Sequence, residues 1–405
     1  MGILRVFGQG IDFASKLKAA IEKVQKEADK DPDTFKENMA GLEKDWAGRK
    51  NPVEQSVVHA MMASAYREMK WTYITDFDEE TRGDYDKKRD DHFAHVLDNM
   101  EALADAKAST YSVLLEEKGK DSDLYGNDML SVMIDFVMSN ATLKREQKAD
   151  IYEKAFNLYR SRGNMDGYGM MKSRWFKEKR EVESQYGSLS YEQHKDSLHQ
   201  LVMELKKEEV GADLVLEYCR TFLWKDDDIL FLKWAVDNLG SSRRKSEVKR
   251  ELENLLQPRV SMSQVDNPLA NRPLSMKLSF WNCERATMTV RKYAGWTETK
   301  NGARELKQTG DVVEKKDVFL EMDSTNQARK TKGLPVEGHA ETSMTLPPGH
   351  YVFIAHGLNH SSVQDFRVST IRIIRADNNK EKYQLYVVDN ETGRPLKGVK
   401  VHKRR

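Results

Sequence analysis

Three histidines, His350, His356 and His360, lie within eleven residues. Their type and spacing come nearest in this chain to metal chemistry. His350 and His356 stand an even number apart and would share one face of a strand, with His360 in the following loop. A second set, Asp91, His92 and His95, places two imidazoles three residues apart on a helix. A zinc site there needs two more ligands arriving from elsewhere. Phe93, Val96 and Leu97 mark an apolar stripe beside this pair, so His92 and His95 read as residues at the edge of a core. Strand-edge positions explain the other three equally well, and the sequence assigns no metal ligand.

Nucleophilic catalysis needs a base beside a serine or cysteine on a strained turn. No G-x-S-x-G is present. Cys219 sits in the apolar helical run "LVLEYCRTFLW", and Cys283 follows "FWN" at a strand end; both read as packing residues. With segments of different type around them, they are expected as two unpaired thiols. "FGQG" at 7–10 has too few glycines, and no preceding strand, for a phosphate cradle. The run from Asp76 to Asp91, "DFDEETRGDYDKKRDD", reads as a solvated loop and helix start. Trp71, Tyr73, Trp175, Trp224 and Trp234 read as core or inter-helix anchors. The expectation is a non-enzyme with no catalytic, cofactor-binding or metal residue and no cofactor.

The elements that would position any such residue come in two kinds. A chain of 405 residues is too long for one ordinary core. Lysine and arginine total 66 against 65 acidic residues, a net charge of +1, which argues against a nucleic-acid partner. No apolar run approaches the roughly eighteen residues that cross a bilayer. The N-terminus lacks a secretory signal, and Gly2 with Val6 does not fit myristoylation. The protein is therefore expected either in the cytoplasm or as a piece whose export signal lies outside the sequence.

From Val53 to Gln257 there is no proline, which permits long helices. In "NPVEQSVVHAMMASAYREMKWTYI" Asn51 can cap, Pro52 sits at the first helical position and Glu54 is placed for a capping box. Val58, Met61, Met62, Ala65, Tyr66, Met69 and Tyr73 then form one stripe. Similar helices are expected from "HFAHVLDNMEALADAKASTYSVLLEE" onward to "KSEVKRELENLL". Gly163 and Gly240 suit the left-handed position past a helix end. Short links imply antiparallel neighbours, and "YEKAFNLYRSRGNMDGYGMM" reads like a degenerate tetratricopeptide pair. After Pro258 the period becomes two. Seven or so short strands, without helices, read as an antiparallel sandwich. "LPPGHYVFIA" is a turn feeding a strand, with Gly349 at the corner. "YQLYVVDNETGRPLKGVKV" would begin a second module that two strands alone cannot complete. The expected fold is a multidomain α-then-β chain: 1–257 a helical-hairpin solenoid or bundle, 258–376 a β-sandwich, 377–405 the start of another.

The order of these pieces resembles the N-terminal end of bacterial alpha-2-macroglobulin family proteins, most closely the long forms of the Bacteroides group. "NPVEQSVVHAMMASAYREMKWTYI" resembles the family's early helix. "SMKLSFWNCERATMTVRKY" resembles the strand, turn and strand opening its first macroglobulin-like domain, and "LPPGHYVFIAHG" resembles a later strand of that domain. "VVDNETGRPLKGVKV" resembles the start of the second one, a motif shared with other extracellular sandwich modules. The resemblance implies scaffold of a protease-trapping endopeptidase inhibitor, located in the periplasm or at the cell surface. Its implied partners are proteases, the macroglobulin-like domains downstream in the same chain, and the outer membrane through a lipid anchor preceding residue 1. The family's reactive Cys-x-Glu-Gln element has no match here, since neither Cys219 nor Cys283 is followed by Glu-Gln. No functional residue carries over. A second reading is a stand-alone cell-surface adaptor with a peptide-binding solenoid, and a third is a glycan-active sandwich built on paired carboxylates.

Overall fold

The structure, a computed structural model, describes residues 2–72, 77–114, 128–186, 190–222, 226–263, 268–299, 301–378 and 382–400. Helices come first and antiparallel sheets follow, the last long helix ending at Leu256 and the first strand beginning at Arg259. By their internal contacts the residues form two units, 1–250 and 251–405. The division falls inside that last helix, just ahead of the change in rhythm at 257/258. Among the described residues no helix is long and apolar enough to cross a membrane.

The helical unit consists of α1 (Gly2–Ala28), α2 (Thr34–Trp46), α3 (Pro52–Thr72), α4 (Glu79–His95), α5 (Met100–Asp105), α6 (Met129–Asn140), α7 (Arg145–Ser161), α8 (Met165–Tyr186), α9 (Tyr191–Leu205), α10 (Gly211–Phe222), α11 (Asp226–Asn238) and the first half of α12 (Lys245–Leu256). Caps set the starts. Asn51 Oδ1 accepts from the Val53 amide at 2.9 Å, Asp78 Oδ1 from Thr81 at 2.8 Å and Asp128 Oδ1 from Ser131 at 2.8 Å. Ser190 and Gln193 form a reciprocal capping box at α9. Gly163, at φ +73°, ends α7.

Two glycines let α8 close on its neighbours. A Cβ at Gly167 would stand 2.8 Å from the Tyr159 ring on α7, and one at Gly169 would stand 2.5 Å from Leu205 Cδ1 on α9. Gly240 is absent from the left-handed glycines. Its small size instead admits the backbone of the preceding link: its amide donates to the Lys206 carbonyl at 2.8 Å, and a Cβ would meet the Lys207 carbonyl at 2.7 Å. Successive inter-helix links thus stack on one another, as in a helical repeat.

The continuous helix expected from His92 breaks instead. After α4 a turn leads to the short α5, and Ala106 is extended at ψ 133°. The Ala106 carbonyl accepts from the Met129 amide at 2.8 Å, and Lys107 bridges Asp128. A 3-10 stretch, Ala108–Leu114, follows. "FGQG" lies inside α1; of the charged run Asp76 lies outside the described residues, and residues 79–91 form most of α4, with Tyr85 buried. Trp71 is 66% exposed, so it is not the core anchor its spacing suggests; Tyr73 and Trp224 lie outside the described residues.

The second unit contains β1 (Arg259–Met262), β2 (Pro273–Trp281), β3 (Arg285–Lys292), β4 (Trp296–Glu298), β5 (Arg304–Leu306), β6 (Val312–Phe319), β7 (Glu337–Thr345), β8 (Gly349–His356), β9 (Ser361–Val368), β10 (Ile371–Asn378) and β11 (Lys382–Asp389). One sheet has the order β1-β2-β7, a second β6-β3-β8-β9, and all ladders are antiparallel. Alternate residues of both sheets, Leu278 and Phe280 from one, Met288, Val290 and Phe353 from the other, share one apolar core. This is an immunoglobulin-like sandwich of three strands on four.

The turn before β8 is a tyrosine corner: Tyr351 Oη donates to the Pro347 carbonyl at 3.0 Å. Gly349 is required there for space rather than for a left-handed φ, because a Cβ would lie 2.9 Å from the Tyr351 ring. The strands are not free of helix, since α13 (Ser324–Thr331) stands between β6 and β7. Its buried Asn326 donates to the Glu337 carbonyl and accepts the Glu337 amide at 3.0 and 3.1 Å, replacing a strand partner for β7.

"FRVSTIRII" divides between β9 and β10, and β10 pairs along its length with β11 in a separate two-stranded ribbon. Residue 377 therefore falls inside a strand. Tyr383 to Val388 pairs backward with β10, and of residues 394–400 Pro395 alone makes a bridge, to Val388.

Candidate functional site

None of the constellations singled out in the sequence converges as written. Six residues of extended strand separate His350 from His356 by about 20 Å. Each has its own partner: His350 Nε2 meets Asp365 Oδ2 at 2.7 Å and the ring stacks on Tyr293, while His356 Nδ1 meets Ser361 Oγ at 2.6 Å. His360 uses its carbonyl to accept from Gly357. Cys283 is buried, its Sγ donating to the Arg259 carbonyl at 3.3 Å, and burial raises its thiol pKa. Cys219 is buried on α10. Trp175 packs between Phe156 and Phe176, and Trp234 stacks on Phe231.

His92, in contrast, gains a companion that the sequence did not supply. α3 packs against α4 and brings His59 Nδ1 to 3.0 Å from His92 Nδ1. The His59 ring centroid is 5.2 Å from both His92 and His95. On the other side of His92, Nε2 stands 3.1 Å from Glu43 Oε1 of α2. Tyr66 Oη donates to the same oxygen at 2.7 Å, and Lys88 Nζ to Oε2 at 2.8 Å. Burial pushes the Glu43 carboxyl upward, but the hydrogen bonds from His92, Lys88 and Tyr66 outweigh it and hold the pKa at about 2. Burial, then the neighbouring His92 and His95, lower His59 to about 4. Glu43, His59, Lys88, His92 and His95 line a cleft of about 410 Å³ with Asp91 and Asp98 at its side, and His95 Nδ1 meets Asp98 Oδ2 at 2.7 Å. The spacing of His92 and His95 was visible in sequence; His59, thirty-three residues away, had no local signal.

A wider groove of about 810 Å³ runs between α1, α3 and α6, with Met61, Trp71, Met133 and Phe136 in its wall. In the sandwich unit the notable surface is the β10–β11 ribbon. Ile371, Ile373 and Leu385 lie on one face and Ile374 and Tyr386 on the other, each between 41% and 53% exposed. Its base is tied down. Asn390 N donates to the Thr370 carbonyl and Asn390 Nδ2 to the Ser369 carbonyl, at 2.9 and 3.1 Å, and Arg272 pairs with Glu391. The "DNETG" motif is a self-capped turn, in which Asp389 Oδ1 accepts from the amide and hydroxyl of Thr392 and Gly393 takes φ +69°.

Compared with known proteins, the chain matches no protein-family model and no curated protein.

Proposed function

We propose that the chain is a non-catalytic scaffold portion of an alpha-2-macroglobulin-like protease trap, acting at the cell surface or in the periplasm. The observation that carries this reading is the ribbon of β10 and β11. A two-stranded sheet with apolar side chains on both faces is marginal in water. Two residues, Ser369 and Thr370, separate it from β9, and the Asn390 turn fastens it to the sandwich. Such a ribbon serves as the first hairpin of a neighbouring sandwich in the same polypeptide, which covers Ile373, Leu385, Ile374 and Tyr386. The tyrosine corner and the three-on-four sheets fit a series of such modules.

A trap encloses its target, so the product of the whole gene should leave a bound endopeptidase active on a small chromogenic peptide and inactive on a large protein. Equal inhibition toward both substrates, or none toward either, removes the reading. The groove with Met61, Trp71 and Phe136 in its wall favours the second reading, a surface adaptor that binds an apolar peptide segment. A whole gene product that spares proteases but retains peptides on that groove would favour it.

A further inference from the structure

Two imidazole nitrogens 3.0 Å apart need something between them. In the metal-free protein it is one proton. Glu43 Oε1 takes the Nε2 edge of His92, which leaves the Nδ1 edge of that ring facing His59. The arrangement has the parts of a metal half-site. A carboxylate fixes the tautomer and orientation of one histidine, as carboxylates behind metal-bound histidines do. Tyr66 and Lys88 in turn fix the carboxylate. In tetrahedral zinc two imidazole nitrogens stand about 3.3 Å apart, so the pair has to open by a few tenths of an ångström.

We propose that His59, His92 and His95 bind a divalent transition-metal ion of the zinc class, with Glu43 positioning His92 and water completing the coordination. Among the described residues no three ligand-type side chains already stand at metal spacing, so the third ligand has to turn. His95 is suited to this. It lies one helical turn from His92, its ring is 5.2 Å from that of His59, and its side chain is 56% exposed at the mouth of the cleft. Its present partner, Asp98, is also exposed, so the exchange gives up a weak pairing. Metal binding requires the proton between the two Nδ1 atoms to leave that edge, to the far nitrogen of a ring or to solvent, so that both lone pairs reach the ion. An imidazole cluster selects zinc, nickel or copper over magnesium or calcium, which prefer oxygen.

The test is calorimetric titration of the intact chain with Zn²⁺ at pH 7.5, beside Co²⁺ titration followed by its visible ligand-field band. One equivalent should bind, with the intense band of four-coordinate cobalt. His59→Ala and His92→Ala should each abolish it, His95→Ala should weaken it, and Glu43→Gln should weaken it about 10- to 100-fold. Mg²⁺ should not compete. Should a variant unfold, imidazole proton resonances of the unaltered chain decide the matter. Zinc must shift three of the ten histidines, and those three must be 59, 92 and 95. No binding, binding that survives His59→Ala and His92→Ala, or shifts confined to other histidines overturns the proposal.

Discussion

The helical and sandwich units differ in what they bury. Of the buried polar or charged side chains among the described residues, Ser56, Asp128, Ser131, Ser173, His194, Asp213 and Asp228 belong to the helical unit; only Asn326 belongs to the other. A helix satisfies its backbone within itself, so what joins one helix to the next is side-chain packing and side-chain hydrogen bonds. Asp228 takes Tyr218 Oη at 2.8 Å and Lys195 Nζ at 2.5 Å, tying α11 to α10 and α9. Asp213 holds Arg244 across a helix link. Strands are joined by backbone ladders, and the space between the sheets is left to Leu278, Met288, Phe353 and their neighbours. Among the described residues, the helical unit therefore buries carboxylates and a histidine, and the sandwich unit buries neither.

The largest expected effect that tests this contrast is Phe353→Ala, which removes a fully buried ring from the sandwich core. It should destabilise the β unit by about 3–5 kcal/mol. Urea unfolding should show the strands melting early while the helical signal at 222 nm (~222 nm band of far-ultraviolet dichroism) keeps its midpoint. A joint loss of both would show one cooperative body. Gly349→Val comes next: its side chain has to displace the Tyr351 ring and should cost about 1–3 kcal/mol. Tyr351→Phe removes only the bond to Pro347 and should cost about 1 kcal/mol. If both variants melt like the parent, the corner is not the device described.

Acid should separate the units next. Burial lowers His194, packed between Phe176 and Phe222, to about 4, and His59 is also near 4. Their unfolded forms take up protons first, so the stability they give is present above about pH 6.5 and is lost as pH falls toward 4. Asp128 has the opposite sign. Burial raises it to about 6 against the bonds from Ser131 and Tyr159, so the folded state takes the proton first and gains as pH falls through 6. Glu54, also raised by burial, acts in the same direction as Asp128, and the two histidines set against these two carboxyls predict a net fall in the helical melting temperature from pH 7 to 5, with the sandwich midpoint unchanged. His194→Leu should flatten that slope, and Asp128→Asn should steepen it. An acid-labile sandwich would erase the contrast. The smallest effect is expected on the ribbon, where Ile373→Ser should change stability by less than about 0.5 kcal/mol. A larger loss would mean that Ile373 is covered within the chain.

Much of this architecture could be read along the chain. The change from three-and-four spacing to alternation locates the helix-to-strand switch, Asn51 and Gly163 mark helix ends, and "LPPGHY" announces a corner. Side-chain period follows from backbone geometry, and caps and turns need only neighbouring residues, so these are local facts. The sequence misplaced what depends on distant contacts. Gly240 and Gly349 looked like flexible turn glycines, yet both are small because another segment leans on them. α13 was hidden by its short, polar sequence, and the break after α4 is held by a bond from Met129.

The candidate site divides in the same way. His92 and His95 share a helix face because helical geometry demands it, and the apolar stripe beside them is written in Phe93 and Val96. That His59 faces His92, that Glu43 lies behind it, and that the corresponding histidines of β8 stay about 20 Å apart was decided by the folded structure. Residue type and near spacing determine which groups a helix or strand can present together. Whether groups from different elements meet depends on how those elements pack, and that is set by the whole core.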